Sequence, residues 1–81
     1  MTESLDHIAP GQHAQITEIL HNDLKPKLME MGLIKGRIVE VLFKAPFGDP
    51  IAINLNGYVL SLRLDEAALI QVKTTNELVN S

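Results

Sequence analysis

Three histidines, His7, His13 and His21, fall near the start of an 81-residue chain, close in sequence to Asp6, Glu18 and Asp23. Imidazoles converging with carboxylates form a ligand set for a divalent transition metal. Their intervals of six and eight residues match no helix-borne pair, which needs i, i+4 spacing to put both rings on one face. Surface or structural histidines are therefore expected. No dedicated metal site or cofactor is predicted, and weak binding of a divalent metal through His7, His13 and His21 is the alternative. Ser4, Ser61 and Ser81 lack any signature linking them to a base, and there is no Gly-rich phosphate loop or nucleophile elbow. Asp65 and Glu66 are adjacent carboxylates, but neighbours on a turn diverge, so Asp65 is expected to cap a helix. With no cysteine, disulfides, thiolate metal sites and Cys nucleophiles are excluded. No enzyme is predicted.

Binding chemistry has more to work with. Between residues 25 and 44, Lys25, Lys27, Lys35, Arg37 and Lys44 face only Glu30 and Glu40, a local charge of +3. The whole chain carries −3, so the remainder carries −6. Such a stretch is either a solvated face or a means of steering toward an acidic partner. Met29, Met31 and Leu33 are expected mainly in the core; any that points outward would mark an adaptable binding groove. Residues 45–50, Ala-Pro-Phe-Gly-Asp-Pro, form a loop stiffer than a connector requires. Phe47 on that loop either plugs one end of the fold, the favoured placement, or anchors a partner. Lys25, Lys27, Met29, Leu33, Lys35, Pro46, Phe47 and Asp49 are the predicted partner-binding set.

Short elements must position these groups. Pro10-Gly11 marks a turn, and residues 13–20 follow as a strand. Its apolar positions change parity between Ile16 and Ile19, which a bulge near Thr17 or Glu18 reconciles. Asn22-Asp23 caps a helix whose apolar face is Leu24, Leu28 and Met31. Pro26 fits its first turn, and Gly32 with Leu33 can close it over Leu28 in a Schellman motif. Residues 38–43 read as a strand apolar on both faces. Asn56-Gly57 signals a type I′ hairpin, pairing Leu55 with Tyr58, Ile53 with Leu60 and Ile51 with Leu62 on one apolar face. Residues 64–68 read as one helical turn, and Ile70 and Val72 as a last strand. The prediction is a mainly β fold: a small, closed or nearly closed barrel of about five short strands, one inserted α-helix and a short helical turn before the last strand. One domain is expected over residues 1–73, with a flexible tail at 74–81.

Apolar residues make up 46% and charged residues 21%, a globular rather than disordered balance. An acidic chain is a poor match for nucleic acid, whose binders need a basic surface to displace counterions. No apolar run nears the ~18 residues of a membrane span, and the start lacks a leader pattern, so a cytoplasmic protein without membrane insertion is expected.

Residues 28–36, LMEMGLIKG, then 45–51, APFGDPI, then 62–67, LRLDEA, resemble the FeoA family, the small accessory proteins of bacterial ferrous-iron uptake. The resemblance runs from about Leu5 to Val72. It implies an SH3-like barrel and a role beside FeoB, the membrane transporter with a cytosolic G domain. A similar domain ends iron-dependent repressors of the DtxR type, but no helix-turn-helix precedes it here. The function expected is a non-enzymatic accessory protein that binds the cytosolic region of the FeoB transporter and supports its activity. The alternatives are a ferrous or divalent metal-responsive module and an SH3-like peptide adaptor. The last is weakened by the absence of Trp and the single Tyr, which leave an aromatic groove hard to build.

Overall fold

A computed structural model describes residues 3–75. Six antiparallel strands form one sheet in the order β1-β6-β2-β3-β4-β5, with β1 (Glu3–Ser4), β2 (His13–Ile19), β3 (Ile38–Lys44), β4 (Ile51–Leu55), β5 (Tyr58–Leu62) and β6 (Ile70–Thr74). Helix α1 (Lys25–Glu30) joins β2 to β3, and helix α2 (Leu64–Ala67) joins β5 to β6. Two expectations change. A sixth strand exists, because Glu3 and Ser4 pair with Val72 and Gln71. The sheet is open in its hydrogen bonding, with β1 and β5 as its edges, so of the closed or nearly closed barrel expected, closure is not found.

The parity change in β2 is resolved where the sequence required it. Ile16 pairs with Val72 but Glu18 with Gln71, so Thr17 is the extra residue of a bulge. The shift returns Ile19 to the side of Ala14 and Ile16, and all three are buried. In β3, Val39 and Val41 enter the core while Ile38 and Phe43 stay exposed. The second register shift, between Val41 and Phe43, has no counterpart among the sequence signals. The β4–β5 hairpin has the predicted register throughout, from Leu55↔Tyr58 to Ile51↔Leu62. Asn56 and Gly57 take φ of 54° and 86°, as a type I′ turn demands.

Asn22 Oδ1 accepts the Leu24 N–H at 3.0 Å, and its carbonyl accepts the Lys25 N–H, which starts α1. At the other end the Leu33 N–H donates to the Leu28 carbonyl and the Gly32 N–H to that of Met29. Gly32 has φ of 98°, completing the Schellman motif over buried Leu28 and Leu33. Helix α2 is capped differently from the prediction. Asp65 is exposed; Asp49 Oδ1 accepts the Leu64 N–H at 3.1 Å, and Glu66 Oε1 accepts the Arg63 N–H at 2.9 Å. The cap thus comes from across the fold and from the helix's third residue. Strand β6 runs through Thr74, which pairs with Ala14, and the Thr75 N–H donates to the His13 carbonyl. Pairing with β2 thus carries β6 one residue beyond residue 73. The rest of the expected tail, residues 76–81, lies outside the described residues.

Candidate functional site

Among the described residues no three His, Asp or Glu side chains gather as metal ligands. The predicted histidines lie apart on the chain's framework. His7 Nε2 is 3.6 Å from Asp6 Oδ2 before β2, and His13 Nε2 is 3.8 Å from Glu40 Oε1 across the β2–β3 pair. His21 follows β2 beside the start of α1.

The cationic stretch builds an open cleft of about 370 Å³ between the β2 bulge, α1 and the turn that follows it. The bulge supplies Thr17, Glu18 and Ile19; the helix supplies Lys25 and Met29; the turn supplies Ile34 and Lys35. Each placement has a local cause. Leu28 is drawn into the core, which leaves Met29, one step further round α1, 46% exposed. The Gly32 turn sends Leu33 inward and returns Ile34 and Lys35 to the surface. That turn is pinned to β2: the Gly36 N–H donates to the Ile16 carbonyl at 2.7 Å, and the Ile16 N–H to that of Arg37 at 2.8 Å. A second hollow, of about 520 Å³ and lined by residues 21–23 and Pro26, shares Lys25 and Met29 with the first. Met29 is the apolar group common to both.

The other predicted contact residues separate. Leu33 is fully buried and cannot touch a partner; its side chain closes the helix. Lys27 Nζ sits 3.0 Å from Glu66 Oε2, so its charge is engaged in tying α1 to α2. Phe47 is 96% exposed, which overturns its placement as a plug. Its loop is braced instead by hydrogen bonds from the Gly48 N–H to the Ala45 carbonyl and from the Ala45 N–H to the Pro50 carbonyl. Pro46 is exposed on it, and Asp49 spends its carboxylate on α2. Helix α1 and residues 45–50 are therefore linked through α2, by Glu66 on one side and Asp49 on the other.

Glu66, which carries no expected role, joins the two helices and caps α2. Its side chain is only 6% exposed. The hydrogen bond from the Arg63 N–H holds its carboxyl below the ordinary range, with Lys27 adding to the effect and burial opposing it. Its position three residues after the N-cap Arg63 is where a capping-box Glu belongs; a cap at Asp65 would set that frame two residues too late.

Residues 3–74 match the FeoA domain family. The chain belongs to the FeoA family. Ferrous-iron transport is the process in which that family takes part. A Porphyromonas gingivalis protein in which Fe(2+) transport protein A is fused to the Fe(2+) transporter FeoB is 31% identical over 70 residues, covering 85% of this chain. The chain spans only 8% of that relative's length. The solution structure of a FeoA-like protein from Clostridium acetobutylicum superposes with a TM-score of 0.85 at 35% identity, covering 90% of this chain and 86% of its own. FeoA of Stenotrophomonas maltophilia, a prokaryotic SH3 domain protein solved with zinc, shares the fold at a TM-score of 0.77 and 24% identity, over 86% of this chain and 88% of its own. The mainly β, SH3-like architecture expected for the FeoA family is thus present. No helix among the described residues is long and apolar enough to cross a membrane.

Proposed function

We propose that this FeoA-family chain is a non-enzymatic, cytoplasmic accessory protein that binds the cytosolic region of a FeoB-type ferrous-iron transporter and supports its activity. The observation that carries this reading is the fusion relative, in which an FeoA segment and the FeoB transporter share one polypeptide. Such a linkage makes encounter between the two parts intramolecular, which is useful where they act together. The cleft beside α1 suits that role. Met29 and Ile34 offer an apolar floor, and Lys25 and Lys35 outnumber Glu18 around it, a combination fitted to an acidic segment with one apolar anchor. Phe47, held out on its braced loop, is a second contact that loses little entropy on docking.

The test is calorimetric titration of the chain against the isolated cytosolic region of the same organism's FeoB-type transporter, with and without guanine nucleotide. Saturable association is expected, weakening as the screening length falls from ~10 Å at 0.1 M salt to ~3 Å at 1 M. No binding in any nucleotide state refutes the proposal.

A further inference from the structure

We propose that β5 is a self-complementary edge through which two copies of this chain pair, antiparallel and two-fold about Leu60. The inference begins with the phase of the β4–β5 ladder. A two-residue type I′ turn makes the flanking residues, Leu55 and Tyr58, a hydrogen-bonded pair. Hydrogen-bonded and non-bonded pairs alternate along an antiparallel ladder. Leu60 and Leu62 are therefore also bonded to β4, while the N–H and C=O groups of Val59 and Ser61 turn outward along the sheet's free edge. No turn or loop backbone hydrogen bond among the described residues reaches either one.

Edge strands are ordinarily protected by charge, proline, a bulge or brevity. The other edge, β1, spans two of the described residues, too short a stretch to template a partner. Strand β5 has five, Tyr-Val-Leu-Ser-Leu, with no charge or proline, and pairs with β4 without a register shift. A second copy is the occupant whose register fits. With the two-fold axis at Leu60, Val59 faces the second copy's Ser61 and Ser61 its Val59, so outward groups meet outward groups on both sides and four main-chain hydrogen bonds form. An axis at Val59 would set both Ser61 residues against Gly57 of the opposite turn, whose N–H already donates to Asn54 Oδ1. An axis at Ser61 would require the Arg63 N–H, already donated to Glu66.

Side chains support the same register. Tyr58 and Val59 are 74% and 65% exposed, and a hollow of about 290 Å³ opens beside Leu55, Tyr58 and Leu60. The second copy's Leu60 comes to rest beside Tyr58 and Leu60 at this hollow, whose lining also includes Arg37 and Asn56, and no like charges are set opposite one another within the strand. Pairing consumes β5 and leaves, among the described residues, the short β1 edge, so assembly ends at the dimer. Five residues a side make an interface below the ~1,200 Å² of a stable complex, so the equilibrium is a weak one. Because β5 carries no charge, the dimer should persist in salt that weakens the lysine-dependent transporter contact, which makes the two proposals separable.

Sedimentation equilibrium of the full chain, from ~10 µM to ~1 mM, reads the proposal directly. The dimer fraction is expected to rise over that range and to survive added salt. Amide exchange at Val59 and Ser61 should slow with concentration. Val59→Pro removes an N–H that the monomer does not use, so melting should be unchanged while the dissociation constant rises at least tenfold. Val59→Lys keeps the N–H but charges the edge, and decides the matter if the proline variant fails to fold. A chain monomeric throughout, a dimer indifferent to both variants, or species larger than a dimer would each overturn it.

Discussion

Replacing Glu66 with alanine should cost more stability than any other change to a carboxylate in this chain. The hydrogen bond from the Arg63 N–H is a helix cap, worth about 1 kcal/mol. The pair with Lys27 adds only about 0.5 kcal/mol, because the Lys27 side chain is 60% exposed and solvent screens it. Losing one buried methylene contributes about 0.8 kcal/mol. Glu66→Ala should therefore destabilise by about 2–2.5 kcal/mol, lowering Tm by roughly 8–20 °C for a domain of this size. Glu66→Gln keeps the stem and an acceptor for Arg63 and removes the charge, so its cost should be nearer 0.5–1 kcal/mol. The pH dependence has a definite sign. The folded carboxyl titrates below its ordinary value of 4.5, chiefly through the Arg63 hydrogen bond, so the charge-dependent contribution is complete above 4.5 and is lost as pH falls through the folded value. The gap between the parent and Glu66→Gln should be full at neutral pH and narrow below about 4.5. Denaturant unfolding across that range measures it, and a double-mutant cycle with Lys27→Met isolates the ion pair at about 0.5 kcal/mol. A gap that stays constant as pH falls, or a Glu66→Ala protein melting with the parent, would refute the reasoning.

Gly32→Val places a β-branched residue at φ of 98° with its Cβ 3.1 Å from Leu55 Cδ2, inside the core. About 2–4 kcal/mol of destabilisation is expected in thermal melts, and Gly32→Asn should recover much of it. Phe47→Ala should leave stability within ~0.5 kcal/mol, as for other surface changes, while speeding dissociation from the transporter's cytosolic region; a loss near the ~3–5 kcal/mol of a buried Phe would return Phe47 to the interior. Charge reversal at Lys25 and Lys35 should slow association with that region and flatten its salt dependence, as surface plasmon resonance would read. Lys27→Glu should instead lower Tm, because it sets a second carboxylate against Glu66.

Local signals carried far in this chain where covalent geometry and period decide the outcome. Asn-Gly dictates the type I′ turn, and a side-chain period of two then leaves one register that buries Ile51, Ile53 and Leu55 together. Gly32 and Leu33 end α1 because positive φ is open to glycine and the next apolar residue falls back over Leu28. Even the bulge at Thr17 was written in the change of parity. These are consequences of neighbours in sequence.

What lay beyond the sequence depends on residues far apart in the chain meeting in space. Nothing local to Glu66 states that Lys27 will stand 39 positions away in sequence and 3.0 Å away in space. Nothing local to Asp49 offers its carboxylate to the Leu64 N–H. Phe47 illustrates the converse: its apolarity argued for burial, yet the loop is satisfied by its own backbone hydrogen bonds and the core is already filled by residues of the strands and α1. Residue type sets the free energy of burial, but only the packed whole decides which apolar groups find room. For the candidate site the sequence therefore determined the cationic stretch, the helix and its turn. The tertiary structure decided that Lys25, Met29, Ile34 and Lys35 share a cleft while Lys27 and Leu33 are occupied in holding the fold together.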